Sequence, residues 1–177
     1  MANQHLTNKQ SQHGARLLCA ALCTAVLALP AMADAIPVFG AAPDFTLPRA
    51  AGGNLRLAEQ RGDVIMLNFW ASWCGPCRQE LPALAELHNR FGPAGFKVLG
   101  INVDAQPEKA QRILQELNLP FPILYDSAGA VSATYRVNAM PSTVIIDRDG
   151  QMRYLHEGYK AGYADLYRSE ITELLGE

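Results

Sequence analysis

An α/β domain, with a central sheet and helices on both of its faces, is the fold class this sequence predicts. Three observations predict it. Val64–Trp70 is an apolar run interrupted only by Asn68, and "FKVLGINVD" (96–104) is a second such run, as expected of strands covered on both faces. Leu81, Leu84, Leu87 and Phe91, and then "QPEKAQRILQELN" (106–118), place apolar residues at spacings of three and four among charged ones, which is the helical period. Strand alternating with helix argues for a mostly parallel sheet. With 177 residues and 49% apolar composition, the chain suits one domain of ordinary size plus something extra.

The extra part comes first. Residues 1–33 carry Lys9 and Arg16 with no acid, then an apolar run over 17–29, then "PAMADA", which is the pattern of a secretory signal cleaved ahead of Asp34. The run is 13 residues long, short of the roughly 20 that span a bilayer. Extended through Ala33 it approaches that length, so an uncleaved membrane anchor is the alternative. Leu22, just before Cys23, is not the small residue that lipid attachment wants. The expected division is a signal peptide over 1–33 and one domain over 34–177.

Within that domain, Phe45-Thr46-Leu47 and Leu55-Arg56-Leu57 alternate around Gly52-Gly53-Asn54, which is hairpin chemistry. The Val64–Trp70 strand leads into a helix from 75 to about 90, which begins inside a Cys-x-x-Cys and contains Pro82, a residue that should kink it. Gly92-Pro93-Ala94-Gly95 precedes the second buried strand, and Pro107 marks the start of the next helix. "FPILYD" (121–126) reads as a short strand and "AVSATYRV" (130–137) as a short helix. "STVIID" (142–147) and "QMRYLHEGY" (151–159) flank Arg148-Asp149-Gly150 as an antiparallel hairpin, and "YADLYRSEITELL" (163–175) closes the chain as a helix.

The formal charge of −2, with no cluster of basic residues, excludes nucleic-acid binding. Losing residues 1–33 removes two of the 15 basic residues and none of the 17 acids, so the exported domain carries about −4. It also removes Cys19 and Cys23. Cys74 and Cys77 are then the whole cysteine content of 144 residues entering an oxidising compartment.

Cys74 falls where a strand ends and a helix begins, near unsatisfied amides and the positive end of the helix dipole. Both favour the thiolate. Lowering a thiol pKa from about 8.5 to about 7 raises the reactive fraction at neutral pH from a few per cent to about half. Cys77, one turn on and more buried, suits the resolving role. A purely structural disulfide is the first rival, but so short a loop constrains the unfolded chain little. A metal site is the second; only His88 and His156 remain as histidines after export, neither at ligand spacing to the pair, and both read as solvated surface residues.

"WCGPC" after "VIMLNFWAS", Pro82 five residues past Cys77, and Pro141 in "AMPSTVIID" together resemble the thioredoxin fold over about 40–175. The "APDFTL" opening, the hairpin and the added strand and helix segment "QPEKAQRILQELNLPFPILYD" look like the exported TlpA/ResA-like thiol-disulfide oxidoreductases. The resemblance implies a central mixed sheet. It also implies Cys74 as the exposed attacking cysteine, Cys77 as the resolving one, and Pro141 as a cis-proline facing the pair, with the Met140 backbone open to strand-like pairing with a client. Trp70, Trp73, Gly75 and Pro76 would shape the surface around Cys74. Asn68 stands where thioredoxins carry a buried aspartate, and it cannot titrate. Glu80, three residues past Cys77, is the expected proton handler, as in this group; a solvated charge paired with Arg78 or Arg90 is the alternative.

The Gly75-Pro76 dipeptide is that of thioredoxin, a strong reductant near about −270 mV, so reduction of client disulfides is expected. No cofactor beyond the Cys74–Cys77 disulfide is expected, and a monomer is. A membrane protein carrying electrons from the cytoplasm is the expected donor, and the periplasm or cell envelope the location. Pro141-Ser142-Thr143 replaces the "PET" of the dedicated cytochrome c maturation proteins, which argues against that narrow assignment. A peroxiredoxin-like peroxidase, suggested by "APDF", and a copper-binding assembly factor are the rival functions.

Overall fold

The computed structural model describes residues 40–177; the predicted signal peptide and the boundary at residue 34 lie outside them. A short hairpin comes first, β1 (Thr46–Pro48) against β2 (Asn54–Arg56), turning through Gly52 and Gly53 at φ values of 90° and 70° that glycine adopts freely. Then follow β3 (Val64–Trp70), α1 (Gly75–Phe91), β4 (Phe96–Asn102), α2 (Glu108–Leu117), β5 (Ile123–Tyr125), α3 (Ala130–Thr134), β6 (Ser142–Ile146), β7 (Met152–Glu157) and α4 (Tyr163–Leu175). Helix α1 continues through Pro82.

The main sheet runs β5-β4-β3-β6-β7. Strands β3, β4 and β5 are mutually parallel, while β6 is antiparallel to both β3 and β7. The sheet is mixed, as the resemblance implies, with two parallel and two antiparallel pairings; the mostly parallel arrangement expected from alternation alone holds over β3, β4 and β5. The hairpin through Asp149-Gly150 fixes β6 and β7 as antiparallel, and β6 enters beside β3 from the opposite direction, so only the first half of the sheet keeps the crossover geometry.

Alternation along β3 divides the core. Val64, Met66 and Trp70 face a cluster built with α1, α2 and α4, including Leu81, Leu84, Ile113, Tyr167 and Ile171. Ile65, Leu67 and Phe69 face the other side, where Leu47, Leu55 and Leu57 of the hairpin region and Val131 and Tyr135 near α3 close over them. Asn68 shares the parity of Met66 and Trp70 and is wholly buried on the side of α1 and α4. Helix α1 is also tied to β4 directly: His88 Nδ1 accepts the Val98 N–H at 3.2 Å, at a level that β5, paired only from Gly100 onward, does not reach.

Candidate active site

The turn over 71–74 carries the chain from the end of β3 to the start of α1, closed by a Cys74 N–H bond to the Ala71 carbonyl at 3.2 Å. Cys74 is the N-cap of α1, and its sulfur accepts the Cys77 N–H at 3.2 Å. This is the amide environment expected at a helix start. The two cysteines form a disulfide. Cys77 is completely covered and Cys74 is only 4% exposed, so the expectation of an exposed attacking sulfur is corrected. As N-cap and disulfide partner, the Cys74 sulfur is folded over the first helical turn. What is exposed is its surroundings: Trp73, at 70%, with Gly75 and Pro76.

The Met140–Pro141 peptide is cis. Pro141 is buried, and its carbonyl accepts the Gly158 N–H at 2.7 Å. Half-buried Met140 packs against the cluster that contains both cysteines. Among the described residues its backbone has no hydrogen-bond partner. Trp70 is fully buried and belongs to the core rather than to the surface around Cys74.

A polar layer lies beneath α1. The register aligns Gly100, Asn68, Thr143 and His156 across β4, β3, β6 and β7, so the last three project a row of polar side chains into the space under α1 and α4. Glu80 descends into this space and is fully buried. Its carboxylate accepts hydrogen bonds from Asn68 Nδ2 at 2.7 Å, Thr143 Oγ1 at 3.1 Å and the Tyr167 hydroxyl at 2.7 Å. Burial raises the Glu80 carboxyl to about 7, with the three hydrogen bonds and the nearby His156 holding it from going higher. The same burial, with the Glu80 charge, holds the Tyr167 phenol far above its usual range.

The alternative of a solvated Glu80 is therefore overturned. Arg78 instead pairs with Glu116 at 3.4 Å, and Arg90 lies over the Phe91 ring. The expectation of solvated histidines is corrected too. His156 is completely buried, bonded through Nε2 to Glu170 at 2.8 Å and set edge-on to the Tyr167 ring at 5.0 Å, while His88 is half-buried. Among the described residues no group of His, Cys, Asp and Glu is arranged to hold a metal ion.

Tyr167 and Glu170 were not singled out by sequence. Their signal was available: both fall on the apolar stripe of α4 formed by Tyr163, Ile171 and Leu174, where a carboxylate needs a buried partner. Asp104 was missed as well. It lies just past β4, nearly buried, and accepts the Ser72 N–H at 2.9 Å, the Ser72 hydroxyl at 3.0 Å and Asn102 Nδ2 at 2.8 Å.

A model described as the AhpC/TSA family matches residues 38–155. The chain is similar to the thiol-disulfide oxidoreductase ResA of Geobacillus kaustophilus, 34% identical over 70% of this chain and 71% of that protein. It is likewise similar to the thioredoxin-like protein YneN of Bacillus subtilis, 38% identical over 66% of this chain and 69% of that one. Among solved structures it resembles a Chlorobium tepidum chain assigned as a thiol:disulfide interchange protein DsbE, with a TM-score of 0.76 and 33% identity over 80% of this chain and 99% of that chain.

Proposed function

The chain belongs to the AhpC/TSA family and is a ResA-like thiol-disulfide oxidoreductase with a thioredoxin-like fold; from that premise we propose that it reduces disulfides of exported client proteins outside the cytoplasm. The observation that supports this reading is a disulfide at the N-terminus of α1, one helical turn from the buried Glu80 carboxyl, which burial raises to about 7. In the reduced protein, the Cys74 thiolate attacks one sulfur of a client disulfide. The client S–S bond breaks, a Cys74–client bond forms, and the other client sulfur leaves as a thiolate. Glu80, as a carboxylate, takes the Cys77 proton; the Cys77 thiolate attacks Cys74 Sγ, the second client sulfur leaves, and the Cys74–Cys77 disulfide closes. Two electrons pass to the client, whose thiolates take up the two protons released.

Exposed Trp73, Gly75 and Pro76 form the face a client meets, and the unpaired Met140 backbone offers it strand-like pairing. The thioredoxin dipeptide Gly75-Pro76 supports the reducing direction. A dithiol donor must then regenerate the protein, and in this reading it is a membrane protein carrying electrons from the cytoplasm. The domain works as a monomer in the periplasm or cell envelope, with no cofactor beyond its disulfide; cytochrome c maturation is one setting among others.

Trapping tests the reading. Cys77→Ala should accumulate mixed disulfides through Cys74, identified by mass spectrometry of proteins released by reductant, while Cys74→Ala accumulates none. Equal trapping by both variants would reverse the roles of attacker and resolver. The AhpC/TSA match favours one second reading, peroxide reduction. Consumption of hydrogen peroxide by the reduced protein, at a rate matching its reaction with a disulfide substrate, would make that the better account.

A further inference from the structure

The strongest group the exchange mechanism leaves unused is Asp104. It is a nearly buried carboxylate whose three hydrogen bonds all come from donors, the arrangement an ionised carboxylate takes. Two of these bonds fix Ser72, at both its backbone and its hydroxyl. Ser72 lies inside the turn closed by the Cys74 N–H bond to Ala71, so the segment delivering Cys74 to α1 is held at two points. Asn102 in turn holds Asp104: its amide donates to Oδ2, and its Oδ1 accepts the Asp104 N–H at 3.3 Å. Two Cα steps of about 3.8 Å limit the distance from Ser72 to Cys74 to about 7.6 Å.

Building on the dithiol reading above, we propose that Asp104 is a positioning residue for Cys74, pinning the turn that carries it and placing a fixed negative charge beside the reduced sulfur. That charge opposes the amide and dipole field of α1. It makes the Cys74 thiol hold its proton more tightly and disfavours the thiolate form of the reduced protein, which shifts the couple toward the disulfide. The other charges around this turn are weaker opponents. Arg78 on α1 and Glu108, Lys109 and Arg112 on α2 line a hollow with Ser72, but all four are exposed and screened by solvent. Met140 and Pro141 bring no charge from the other side. Glu80 lies below, in the polar layer.

The test compares Asp104→Asn and Asp104→Ser, which remove the charge, with Ser72→Ala, which keeps the charge and removes the hydroxyl bond. Two readouts are followed for each reduced protein: the pH profile of Cys74 alkylation, and the redox equilibrium against glutathione. Removing a carboxylate bonded to the residue two before Cys74, in a partly screened medium, predicts alkylation roughly fivefold faster at pH 6 for both Asp104 variants, and an equilibrium shifted toward the dithiol by a similar factor. Ser72→Ala should stay within about twofold of the native profile. Native-like profiles in both Asp104 variants, or an equal shift in Ser72→Ala, would overturn the proposal. Failure of the native dithiol to cycle would instead remove the exchange reading itself.

Discussion

At the scale of single residues, Glu80 sets activity against stability. Its folded carboxyl lies at about 7 against an ordinary 4.5, so the stability it contributes is complete below the unfolded value and is lost as pH rises through the folded one. At pH 8 the protein therefore buries a charge at a cost on the order of 3 kcal/mol. Glu80→Gln should raise the urea midpoint at pH 8 and change it little near pH 4.5. The substitution is sterically easy, because the Asn68 amide can rotate to offer its unpartnered Oδ1 to the new amide. The same variant should slow release of a client from the Cys74 mixed disulfide by roughly a hundredfold at neutral pH, measured by stopped-flow exchange, since Cys77 loses its base. The spacing of Cys74, Cys77 and Glu80 was legible because it lies within two turns of one helix, counted from its N-cap. The burial of Glu80 was not, since it depends on Thr143 and Tyr167 arriving from β6 and α4. The same distance effect hid His156, whose partner Glu170 belongs to another element.

At the scale of elements, β4 depends on α1 where the sheet leaves it uncovered. The His88 imidazole must be neutral to accept the Val98 N–H, and burial with the nearby Lys97 charge holds its pKa below the ordinary 6.5. For a group depressed in the fold, the stability contribution is present above the unfolded pKa and is lost as pH falls through the folded one. On a Glu80→Gln background, where the opposing trend of Glu80 is absent, the protein should therefore lose urea resistance on acidification below about pH 6.5. His88→Leu should flatten this acid limb while lowering the midpoint at pH 7.5, where it orphans the Val98 amide. An unchanged acid limb would mean that His88 does not control it. The elements themselves were readable from apolar runs and turn residues, because those signals are local. The strand order was not: it rests on β6 inserting between β3 and β7, which no local pattern records.

At the scale of the whole molecule, the direction of electron flow is a statement about folding. Reduction and unfolding form a closed cycle, so a couple more reducing than an unfolded Cys-x-x-Cys must have a fold that stabilises the disulfide form more than the dithiol form. The Cys74–Cys77 ring spans a sequence separation of three, so the chain-entropy effect of closing it is small. Any difference between the two forms then reports the native surroundings of the sulfurs. Those surroundings oppose one another. The N-terminus of α1 favours a Cys74 thiolate, whereas the covered Cys77, the buried Glu80 and the anion at Asp104 all penalise charge on the reduced pair. If the second group prevails, as reduction of clients requires, the oxidised protein should unfold several degrees above the reduced one in calorimetry with and without dithiothreitol. About 1.4 kcal/mol accompanies each 30 mV of potential, and each kcal/mol moves the midpoint of a domain this size by roughly 2–4 °C. A reduced form that melts higher would mean that the helix N-terminus dominates, and that the protein delivers disulfides to its partners rather than removing them.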